Sequence, residues 1–61
     1  MAYTTMKKLI NNAVSKYQTG TWTKEEYETY RDSQQRKLDV FYANGRLTEN
    51  QYEELCNMWV D

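Results

Sequence analysis

The strongest constraint in this chain is a repeat. Displaced by 25 residues, Tyr17-Gln-Thr-Gly20-Thr-Trp22-Thr23 falls on Tyr42-Ala-Asn-Gly45-Arg-Leu47-Thr48, Tyr27-Glu28 falls on Tyr52-Glu53, and Tyr30 falls on Leu55. Gly20 and Gly45 sit where a helix would stop, because glycine takes the left-handed conformation of a C-terminal cap without steric penalty. Asn44 strengthens the second stop. Thr23 and Thr48 are N-cap candidates, and Glu26 and Gln51 lie three residues further on, which writes the capping-box pattern twice. Trp22 and Leu47 precede the caps, and Tyr27 and Tyr52 occupy the fourth helical position, the spacing of a hydrophobic staple. Each cap is worth about 1 kcal/mol, so both junctions are specified locally. The pattern predicts one all-α domain over residues 1–61, with copies of the junction at 17–30 and 42–55. Three helices are expected, over about 4–18, 23–43 and 48–60, with boundaries good to two to four residues.

The apolar periodicity agrees. Met6, Leu9, Ile10, Ala13, Val14 and Tyr17 mark one face of a 3.6-residue helix. Tyr52, Leu55, Cys56 and Trp59 do the same over two turns, with Glu49 and Glu53 toward the positive end of that helix. The second helix is apolar at both ends (Tyr27, Tyr30; Leu38, Phe41, Tyr42) and polar across Arg31-Asp32-Ser33-Gln34-Gln35-Arg36-Lys37. If continuous it is about 30 Å long against about 20 Å for its neighbours. Two geometries fit. One is a compact three-helix bundle in which Gln34 faces the core or a partner. The other is a hairpin array whose outer helices fold on opposite halves of the second, leaving apolar surface for another copy to cover. The reading favours an assembly.

Size points the same way. A chain of 61 residues buries about 60% of the surface its unfolded form exposes, so it is marginal alone. The usual supports are disulfides, metals or self-association. One cysteine and no histidine leave neither an internal disulfide nor a structural zinc site, so self-association is the expected support. Nine aromatic residues and a net charge of −1 argue against disorder. No signal-peptide apolar run and no membrane-length segment are evident, so a protein that is intracellular, or carried inside a particle assembled there, is expected, without a membrane. Charge is unevenly placed. Lys7, Lys8 and Lys16 make the first sixteen residues basic, whereas residues 38–61 carry Asp39, Glu49, Glu53, Glu54 and Asp61 against Arg46. Opposite ends are expected to attract, within one chain or between two, at well under about 1 kcal/mol per exposed pair.

No catalytic constellation emerges. The usual base, histidine, is absent. Cys56 lies on an apolar stripe and reads as a core thiol. Glu25/Glu26 and Glu53/Glu54 are adjacent on helices and point apart, as solvated faces do. Neither glycine belongs to a phosphate-cradling loop. The chain reads as no enzyme, with no cofactor and no metal. Three short helices can form a helix-turn-helix, but nucleic acid is disfavoured by a pI of about 5.3 and an acidic third helix. Most aromatic residues recur at helical spacing and read as core. Tyr3, Trp22 and Met58, less committed to a stripe, and Gln34 at the polar waist are the candidate interaction surface.

The stretch LDVFYANGRLTENQYEEL, with Gly45, Leu47, Thr48, Glu49 and Tyr52, resembles the short helical module called SHOCT, whose pattern is an apolar helix end followed by G-x-[IL]-T-x-x-x-[FY]. YQTGTWTKEEYETY and YANGRLTENQYEEL together resemble the small XkdX-type proteins of phages and prophages, which carry two such turns. The glycines are further apart here than in XkdX-type chains, and Cys56-Asn-Met-Trp-Val-Asp61 replaces the basic, leucine-rich end of SHOCT. The resemblance implies a phage or prophage context and small helical parts that bind proteins. The expected function is therefore non-enzymatic docking, on itself as a homo-oligomer or on a phage or host protein. The rivals are a small DNA-binding regulator and a phage inhibitor of a host defence protein.

Overall fold

A computed structural model describes residues 2–60. Three α-helices follow one another: α1 Ala2–Gln18, α2 Lys24–Ala43 and α3 Glu49–Asn57, with no strand among the described residues. Both junctions are built as their residues dictate. Gly20 and Gly45 have φ of 80° and 74°. At the first, the Gly20 amide donates to the Tyr17 carbonyl (3.2 Å) and Thr21 to Lys16 (2.8 Å); at the second, Gly45 donates to Tyr42 (3.1 Å) and Arg46 to Phe41 (2.8 Å). These paired bonds are the Schellman motif, which satisfies carbonyls that the helix end would otherwise orphan. The next helix then opens on a reciprocal box. Thr23 Oγ1 accepts from the Glu26 amide (3.2 Å) while the Thr23 amide donates to Glu26 Oε1 (3.0 Å). Thr48 and Gln51 repeat this at 3.1 and 3.0 Å.

The repeat also reaches across each turn. Tyr17 stacks on Tyr27 at 4.3 Å and 11°, and their counterparts Tyr42 and Tyr52 stack at 4.5 Å and 15°. Each pair closes its helix hairpin with aromatic contact beyond simple area burial, about 0.5–1.5 kcal/mol.

Packing resolves the two geometries in favour of the compact bundle; the hairpin array is not adopted. α2 is continuous, and its length of about 30 Å accounts for the longest molecular dimension, 34 Å against 17 and 16 Å. Met6, Ile10, Leu38, Leu47 and Leu55 form the core, each at most 4% exposed, drawn from all three helices and the second junction. Leu9, Val14, Phe41, Tyr52, Cys56, Met58 and Trp59 pack around it half-buried. Gln34 faces this interior at 5% exposure, because it shares the α2 face of Tyr27 and Leu38.

α3 is shorter than the expected 48–60. It stops at Asn57, with Met58 as its C-cap. Trp59 and Val60 leave the helical path to cover Tyr27: the Trp59 ring meets it edge-on at 5.9 Å, and the Val60 amide donates to Tyr27 Oη at 2.9 Å. α3 covers only the Leu38 half of α2, and this tail closes the Tyr27 half.

Candidate interaction surface

Polar links on both flanks tie α3 to the rest. Tyr3 donates its hydroxyl to the Glu54 carboxylate, which also pairs with Lys7 Nζ at 3.3 Å. The charge asymmetry is thus met within one chain, between exposed side chains. The Tyr3 hydroxyl, then Lys7, holds the Glu54 carboxyl below its ordinary 4.5. The Tyr3 hydroxyl, then the Glu54 carboxylate, raises the Lys7 ammonium. On the other flank of α3, Tyr52 Oη donates to Asp39 Oδ1 at 2.6 Å, and that bond to a carboxylate pushes the Tyr52 phenol up to about 12. Gln35 Nε2 lies 3.2 Å from Asp39 Oδ1 and 3.3 Å from Cys56 Sγ, so the half-buried thiol sits in a polar link between helices.

The four candidate contact residues separate. Tyr3 packs half-buried against the core and holds Glu54. Met58 caps α3 against the same core. Gln34 is inside, its Oε1 buried without a hydrogen-bond partner, so reaching a partner would require opening the fold. Trp22, half-buried like Tyr3 and Met58, does not pack against that core. It rests on Tyr30 at 5.0 Å, with Lys16 Nζ 5.0 Å over its ring. The first junction here departs from the staple expected with Tyr27, which is buried under Tyr17 and Trp59. The Trp22 amide turns back to the Lys16 carbonyl (3.2 Å), bringing its ring beside Lys16, whereas Leu47 goes into the core.

Trp22 and Tyr30 wall a shallow groove along α2 with Glu25, Glu26, Thr29 and Ser33. Further along α2 is a second groove, lined by Arg36, Lys37, Val40 and Phe41. Val40, 55% exposed, was not among the expected contact residues, and Tyr42, expected in the core from its spacing, is 42% exposed. For Val40 a signal was present: it is two positions from Leu38, which on a helix turns it about 200° away from the buried face. No cluster of three or more His, Cys, Asp or Glu able to hold a metal ion occurs among the described residues, and no helix of theirs is long and apolar enough to cross a membrane. Comparisons with protein-family models, with curated proteins and with solved structures find no match.

Proposed function

We propose that this chain is a non-enzymatic helical interaction protein that works by docking on a protein through the outer face of α2. The observation that carries this reading is apolar surface where a solvated helix face is expected. Val40 stands 55% exposed beside Phe41, and the Trp22–Tyr30 pair lies on the outer side of the same helix. Charged groups rim both spots. Aromatic and apolar anchors with a charged rim are the anatomy of a docking surface. The resemblance of the duplicated junction to XkdX-type and SHOCT segments supports a phage or prophage setting, in the host cytoplasm or on the virion. The DNA-binding alternative is weakened by the engagement of two cations of the basic N-terminal stretch: Lys7 with Glu54 and Lys16 with Trp22.

The test is retention of purified candidate proteins, from virions and from host cells, on the immobilised chain and on its Val40→Asp and Trp22→Ala variants. Binding lost in both variants is expected. Binding to no protein, together with a salt-sensitive shift of duplex DNA abolished by neutralising Lys7, Lys8 and Lys16, would replace this reading with the regulator.

A further inference from the structure

We infer that the outer face of α2 is self-complementary and pairs two copies of this chain antiparallel about a two-fold axis; this rests on the docking reading and names its partner. The two grooves carry opposite charge. Glu25 and Glu26 flank Trp22 and Tyr30, whereas Arg36 and Lys37 flank Val40 and Phe41. Both lie away from the buried Tyr27–Gln34–Leu38 face.

An antiparallel partner whose residue numbers sum to 62 with those of the first copy matches these features one by one. Within α2, Glu25 meets Lys37, Glu26 meets Arg36, and Thr29 meets Ser33, each contact occurring twice by symmetry, and Trp22, which precedes the helix and rests on Tyr30, lies toward the end of the seam that holds the second copy's Val40. Glu25, Thr29, Ser33, Arg36, Lys37 and Val40 are all exposed. The short Thr29 and Ser33 fall at the crossing point, where two helix axes must approach to about 8–10 Å. Glu26 commits Oε1 to the Thr23 amide, and its other oxygen remains available to a cation. A parallel pairing would set acid against acid and base against base, so charge selects the antiparallel register. From Glu25 to Lys37 the helical seam is about 18 Å long and one helix wide, less than the roughly 800 Å² per partner of a standard interface, so the pair is concentration-dependent rather than permanent.

The experiment is sedimentation equilibrium of the full chain from about 10 µM to 1 mM, at low and high salt, against charge-swapped variants. Expected is a mass rising from 7.4 kDa toward twice that value, with weaker association in high salt. Glu25→Lys and Lys37→Glu should each weaken association about tenfold or more, and the double variant carrying both should restore it, because the swapped charges meet again across the axis. Circular dichroism confirms that each variant remains folded. A monomer at every concentration overturns the pairing while leaving docking on a different protein intact. A dimer indifferent to both single reversals and to Val40→Asp overturns it as well, since another face would then be in use.

Discussion

The repeat makes a sharp comparison possible at Trp22 and Leu47, which hold the same place in the two junctions. Leu47 is 4% exposed within the core cluster. Truncation to alanine removes its transfer free energy and leaves a cavity, at a cost of about 2–5 kcal/mol. Trp22 is half-buried and held by one tilted ring contact and one cation. An aromatic pair contributes about 0.5–1.5 kcal/mol, and an exposed cation–π contact about 0.5–1 kcal/mol. Trp22→Ala should therefore cost about 1–2.5 kcal/mol although it deletes the larger side chain. A core of this size supplies only about 3–5 kcal/mol in total, so Leu47→Ala should leave a substantial unfolded population at 25 °C while Trp22→Ala stays folded. One kcal/mol moves the midpoint of so small a domain by about 4–8 °C, so the two thermal transitions should be well separated. Urea and thermal unfolding by circular dichroism, in dilute solution where pairing adds nothing to stability, measure both. Equal losses, or a larger loss at Trp22, would refute the assignment of one junction to the core and the other to the surface.

Thr23→Ala and Thr48→Ala should each cost about 1 kcal/mol, with faster amide exchange at the start of the helix concerned, and Thr→Ser at either site should be close to neutral. Glu54 is held below 4.5 in the fold, so its contribution is fully present above that pH and is lost as pH falls through the lowered value; the acid-side drop in thermal midpoint should shrink in Glu54→Gln. Tyr52, raised from 10.0 to about 12, favours its neutral form in the fold, so its contribution holds below pH 10 and is lost as pH rises toward 12. Ultraviolet titration should find one late-ionising tyrosine that moves to an ordinary value in Asp39→Asn. Gln34→Met should raise stability by about 1 kcal/mol or more, because an unbonded buried carbonyl costs about 1–3 kcal/mol; a loss in urea unfolding would mean that the side chain is satisfied.

Much of the fold was legible because its signals are local. A glycine stop and a threonine box act over a few residues of backbone, and both fall where the 25-residue repeat puts them. The stacks of Tyr17 on Tyr27 and Tyr42 on Tyr52 join side chains ten residues apart across a turn, and no helical period describes that spacing. The end of α3 falls three residues short of the expected 60, because Trp59 continues the apolar stripe in sequence yet leaves the helical path to meet Tyr27 edge-on. Gln34 illustrates the limit most clearly. Polarity left it open whether Gln34 faces the core or a partner, and its helical phase with Tyr27 and Leu38 carries it inside. The surface was the least legible part, since Tyr3 and Met58 looked uncommitted only until α1 and α3 were brought together.

Charge segregation along α2 has a rival explanation that needs no partner. The helix macrodipole favours acids at the N-terminus and bases at the C-terminus, so Glu25 and Glu26 in the first turn are accounted for by it alone. Arg36 and Lys37 are not. The dipole acts within the last turn, and α2 carries no basic residue there. Arg36 and Lys37 sit near the middle of the helix, next to exposed Val40. The two causes separate by variant. Glu25→Lys should lower the stability of the dilute monomer by a few tenths of a kcal/mol through the dipole, in addition to weakening any pair. Lys37→Glu has no dipole contribution to lose, so it should leave the monomer unchanged and act on association alone.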